Sequence, residues 1–128
     1  MTTAMRGLTI DAHGGLDQLR VRDDLPVPPI TRPDEVRVRV HAAALNRLDW
    51  WVLGGIPGVK IHPGWVLGSD GAGVVESVGS AVSHVAPGDR VLLNPGLVDR
   101  SCRCEYCLDG DTPLTIRPEF SLAFWVKA

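Results

Sequence analysis

Three cysteines stand within six residues, Cys102, Cys104 and Cys107, on the stretch SCRCEYCLDG. Zinc takes four soft or borderline ligands in a tetrahedron, and closely spaced thiolates on a loop supply them without a prebuilt core. Cys104 and Cys107 have the two-residue gap that lets both sulfurs face one ion, and Cys102 adds a third. The fourth ligand has no Cys or His to provide it. None follows Cys107, and the nearest upstream histidine, His84, lies beyond a predicted strand. Asp109 or Asp111 would complete only a labile, oxygen-containing site. The plainer alternative is three reduced thiols on a loop. An odd, clustered set does not make a secreted disulfide framework, so either reading places the chain in a reducing compartment, the cytoplasm.

Two polar pairs come next. Asn46 and Asp49 stand three residues apart at the start of a short apolar run. That spacing serves a helix N-cap and its capping-box partner, and equally places an amide and a carboxylate at a cleft mouth, where Asn46 would donate to a substrate carbonyl. Ser69 and Asp70 lie inside GSDGAG, Gly68 to Gly73. Its glycines permit close approach of a ligand or simply bend a strand; bending is the reading preferred for Gly71 and Gly73. Trp50 and Trp51 read as core and rim aromatics. His13, His41, His62 and His84 are scattered and read as surface or strand-edge side chains. GSDGAG has the wrong spacing for a dinucleotide fingerprint and no helix follows it, so no cofactor-binding residue is assigned.

The elements that must position these residues are mostly strands. Arg6 to Asp11 reads as a first strand and Leu19 to Arg22 alternates before Pro26, Pro28 and Pro29 force an extended segment. From Glu35 to His41, Val36, Val38 and Val40 share one face while Arg37, Arg39 and His41 share the other. Val66 to Val78 is a glycine-rich strand, and Pro87-Gly88-Asp89 turns the chain into Arg90 to Leu93. One helix, capped by Asn46 and stopped by Gly54-Gly55, carries Leu48 to Leu53. The 14 glycines and 10 prolines speak against a helical bundle. The reading is a mainly β fold, a partly open β-barrel with short helical insertions. A net charge of −2 without a basic block argues against nucleic acid or an anionic membrane as partner, and no apolar run is long enough to span a bilayer.

The order from Pro28 through PDEVRVRVHAAALNRLDWW, then HPGWVLGSDGAGVVESVGSAVSHVAPGDRVLLNPG, then a cysteine-rich loop, closely resembles the medium-chain dehydrogenase/reductase family. It looks like the N-terminal GroES-like catalytic domain of zinc-type alcohol dehydrogenase and quinone oxidoreductase-like members. The resemblance covers about residues 5 to 114. It implies a second, Rossmann domain that holds NAD(P), an active cleft between the two, and alcohols, aldehydes or quinones as substrates. The resemblance puts a catalytic-zinc cysteine at Asn46, as quinone oxidoreductase-like members also replace it, and a His-Glu pair at Ser69-Asp70. With both replaced, it implies hydride transfer without a metal to polarise the carbonyl. Asp49 is retained. The family's structural-zinc spacing, aligned on Cys104 and Cys107, puts Ser101 first and Thr115 last, with Cys102 one place out of register.

Residues 1–114 therefore read as the GroES-like domain and 115–128 as a divergent tail. That tail, TIRPEFSLAFWVKA, would add a strand or cover apolar surface. The expectation is a truncated or frameshifted portion of an NAD(P)-dependent oxidoreductase, inactive alone. The alternative is a non-enzymatic zinc-binding or interaction module built on the cysteine loop.

Overall fold

A computed structural model describes residues 4–93 and the short strand 125–126. Its elements run β1 (Ala4–Ile10), a 3-10 turn at Leu16–Gln18, β2 (Arg20–Pro26), β3 (Val36–Ala42), α1 (Arg47–Gly54), β4 (Trp65–Val66), β5 (Gly71–Val78), β6 (Arg90–Leu93) and β7 (Trp125–Val126). The fold is mainly β with short helical insertions, as the alternating valines and frequent turn residues dictate.

The strands form two antiparallel groups joined by one strand. β1 pairs with β2 and, at Thr9 and Ile10, with β4; β3 pairs with β5 and β5 with β6. β7 lies between the groups, antiparallel to β1 and parallel to β3, so the path runs β2-β1-β7-β3-β5-β6 without closing a barrel. Adding a strand is one of the two roles the apolar tail suggested.

The core is small. Met5, Ile10, Leu25, Val40, Leu53 and Val75 are its buried apolar residues among those described. In β3 only Val40 is fully buried, because register shifts at Arg37/Val38 and at Val40/Ala42 rotate the strand against β5. The opposite face is not simply solvated. Arg37 Nε lies 2.7 Å from Glu76 Oε2 and Arg39 Nη2 lies 3.6 Å from Oε1, across the β3–β5 pair. The β5 glycines are dictated by that pairing. A Cβ on Gly73 would sit 2.1 Å from the Arg39 carbonyl oxygen, so the strands meet at a distance only glycine allows.

The glycine-rich segment is broken rather than one strand from Val66 to Val78. β4 ends at Val66, β5 starts at Gly71, and Gly68 with φ +126° turns the chain between them. Trp50 and Trp51 also differ from expectation: they are 59% and 52% exposed, because α1 buries only Asp49 and Leu53 among its residues. The four histidines are all exposed, as read from sequence.

Candidate active site

The start of α1 and the β4–β5 link converge on one cluster of polar groups. α1 forms where Asn46 leaves the extended backbone, and it stops at Gly55, whose φ of +99° suits glycine. Inside the first turn, the buried Asp49 carboxylate accepts two backbone N–H groups. Oδ2 takes that of Asn46 at 2.8 Å and Oδ1 takes that of Gly68 at 3.1 Å. One side chain thus satisfies an orphan donor at the helix start and pins the bend that presents Ser69 and Asp70.

Asn46 faces across this junction. Its amide nitrogen donates to Ser69 Oγ at 3.2 Å and to Asp70 Oδ2 at 2.9 Å. The backbone N–H of Ala44 donates to Asp70 Oδ1 at 2.9 Å. Together the Asn46 amide, first, and the Ala44 N–H hold the Asp70 carboxyl below the usual carboxylate range. Ser69 is buried, while Asn46 is exposed and Asp70 half-buried. The four residues singled out from sequence, Asn46, Asp49, Ser69 and Asp70, therefore form one hydrogen-bonded group.

A cleft of about 180 Å³ reaches the group at Asp49 and is lined also by Arg6, Leu8, Val40, Ala44 and Leu67. Sequence reading missed Arg6, Leu8 and Leu67 as cleft residues, since strand pairing alone brings them beside the helix. The N–H of Leu67 donates to the Leu8 carbonyl at 2.8 Å and ties the two walls. Arg6 pairs with Asp23 on β2, so its charge is balanced at the rim.

The donor set does not fit a tetrahedral metal. Asn46 offers Asp70 and Ser69 its N–H groups, Asp70 has each oxygen occupied, and Asp49 is spent on backbone N–H groups. Among the described residues no group of three or more His, Cys, Asp or Glu converges. Cys102, Cys104 and Cys107 lie outside the described residues. No phosphate fits against Gly73, because the space beside it is filled by the Arg39 carbonyl.

The fold is shared with solved oxidoreductases. An NAD-dependent alcohol dehydrogenase superposes with a TM-score of 0.73 at 50% identity, over 88% of this chain and 32% of that one. The quinone oxidoreductase from Coxiella burnetii does so with a TM-score of 0.63 at 32% identity, over 70% of this chain and 29% of that one. The chain belongs to the alcohol dehydrogenase GroES-like domain family, whose model matches residues 32–124. Among named relatives, the probable S-(hydroxymethyl)glutathione dehydrogenase 1 of Schizosaccharomyces pombe is 38% identical over 104 residues. That match takes in 80% of this chain and 26% of the yeast protein, so the chain spans about a quarter of that relative's length. Among the described residues no helix is long and apolar enough to cross a membrane.

Proposed function

We propose that this chain is the substrate-facing part of an NAD(P)-dependent oxidoreductase of the alcohol dehydrogenase and quinone oxidoreductase kind. Its substrates are small alcohols, aldehydes or quinones. The observation that carries the reading is the closed group of Asn46, Ser69 and Asp70 at the helix start. Asn46 and Ser69 stand where the family resemblance puts metal ligands, and here the side chains satisfy one another instead. NAD(P), held by the separate Rossmann domain that the family resemblance implies, would supply or receive the hydride.

The role of this chain is to bind and orient the reacting oxygen. Ser69 Oγ accepts from Asn46, which leaves its own O–H to donate to a carbonyl or quinone oxygen brought to this junction. Asp70, kept ionised, holds the Asn46 amide in place. Asp49 acts at one remove as a positioning residue. Residues 1–114 are the domain body in this reading and 115–128 its divergent tail. Three thiols at Cys102, Cys104 and Cys107 suit a reducing, cytoplasmic setting, with structural zinc as their proposed ligand.

The reading is tested by mixing the chain with a separately produced dinucleotide-binding domain of a relative, NADPH and a quinone or aldehyde. Substrate-dependent NADPH oxidation that falls at least about tenfold in Ser69→Ala supports it. Absence of turnover with a partner domain shown to bind NADPH counts against it.

A further inference from the structure

Of the four residues in the polar cluster, only Asp49 lines the cleft beside α1; Asn46, Ser69 and Asp70 do not. The cleft has walls of its own, and hydrogen bonds tie them together. Val66 pairs with Thr9 on β1, the Leu67 N–H donates to the Leu8 carbonyl at 2.8 Å, and the Gly68 N–H donates to Asp49 at 3.1 Å. Three consecutive residues thus bridge β1 to the first turn of α1. Val66 also packs against Met5 and Leu25, and Val40, buried in β3, supplies a further wall. Walls fixed in this way are in place before a ligand arrives, so binding orders little that is not ordered already.

The chemistry of the walls selects what fits. Leu8, Val40, Val66 and Leu67 offer apolar surface. The polar groups among them are already satisfied. Both Asp49 oxygens accept backbone N–H groups, and the Leu8 carbonyl and Leu67 N–H bond to each other. Arg6 is paired with Asp23. Charge of either sign is disfavoured, since an anion would meet the Asp49 carboxylate and a cation would meet Arg6. Size narrows the choice further. The volume of about 180 Å³ slightly exceeds the roughly 150 Å³ of an apolar cavity that holds benzene.

We propose that this cleft is a binding site for a small, neutral, apolar molecule of one-ring size, separate from the junction where the substrate oxygen is held. The site rests on its walls alone and stands whether or not the chain takes part in hydride transfer.

The test is a titration of the full 128-residue chain, isotope-labelled, with benzene. Saturating shifts are expected at Leu8, Val40, Leu67 and Gly68, with half-saturation at about 1 mM or below. Benzoate and benzylammonium carry the same ring with a charge and should bind at least about tenfold more weakly. Leu8→Trp puts an indole into the cleft and should abolish the benzene shifts at Val40 and Leu67, while unchanged amides at Val74 and Val75 in β5 show that the variant is folded. A folded variant that binds benzene as the unaltered chain does contradicts the proposal. Should Leu8→Trp fail to fold, the unaltered chain decides, because Trp50 and Trp51 on α1 are the competing apolar surface. Shifts confined to those two residues, no saturation up to the aqueous solubility of benzene, or benzoate binding as tightly as benzene would each overturn it.

Discussion

The carboxylate of Asp49 accepts the backbone N–H of Gly68 at 3.1 Å, tying the first turn of the only α-helix among the described residues to the bend between β4 and β5. Its second oxygen holds the Asn46 N–H. Because Asp49 is buried, removing it leaves two backbone donors without partners. Asp49→Ala is expected to lower stability by about 2–4 kcal/mol, and Asp49→Asn, which keeps one acceptor, by roughly half of that. Urea midpoints of the two variants check this. Equal losses would mean that burial volume rather than the two bonds matters.

Spacing alone made the Asn46–Asp49 pair legible, since Asn followed three positions later by an acid at the head of an apolar run is a helix start. The valine alternation made β3 legible, and Pro87-Gly88-Asp89 marked the turn into β6. The contact of Asn46 with Ser69 and Asp70 was not readable in the same way. It joins residues 23 and 24 positions apart, and depends on Gly68 breaking what reads as one strand. The tryptophans misled because apolar type predicts burial only when the helix has a partner on that side, and α1 turns them outward. Arg37 and Arg39 look like a solvated face from alternation, yet half-bury against Glu76, a pairing that only the β3–β5 register creates.

Two glycines should respond in opposite directions. Gly73→Ala puts a Cβ against the Arg39 carbonyl, a backbone atom that cannot give way without parting β3 from β5. The expected loss is about 3 kcal/mol or more. Gly54, at the end of α1, has nothing within 4 Å of an added Cβ. Gly54→Ala is expected to be neutral or to stabilise by about 0.5–1 kcal/mol. Thermal unfolding of both reads the contrast, and similar effects would contradict the close approach assigned to Gly73.

The pH dependence follows from Asp70. Its folded-state affinity for a proton is reduced by the Asn46 amide, and next by the Ala44 N–H. A carboxyl depressed on folding contributes stability above its unfolded pKa, and that contribution is lost as pH falls through the folded value. Asn46→Ala removes the larger cause, so the Asp70 carboxyl is expected to titrate closer to the ordinary carboxylate range. Carbon-detected titration of the side chain follows it directly. An unchanged titration in the variant would show that Ala44 alone sets it.

Glu76 faces both arginines of β3. Half-buried pairs of this sort contribute modestly, and Glu76→Gln is expected to cost about 1 kcal/mol, less at high salt. Denaturation at low and high ionic strength measures both parts. A loss independent of salt would assign the effect to packing.

The most direct measurement is a calorimetric titration of the purified 128-residue chain with NADPH and NADH. On the proposed reading Asn46, Ser69 and Asp70 orient a substrate oxygen, and the space beside Gly73 is filled by the Arg39 carbonyl, so that reading predicts no saturable binding by this chain alone. Saturable binding at micromolar nucleotide would contradict it, by placing a cofactor site within these residues.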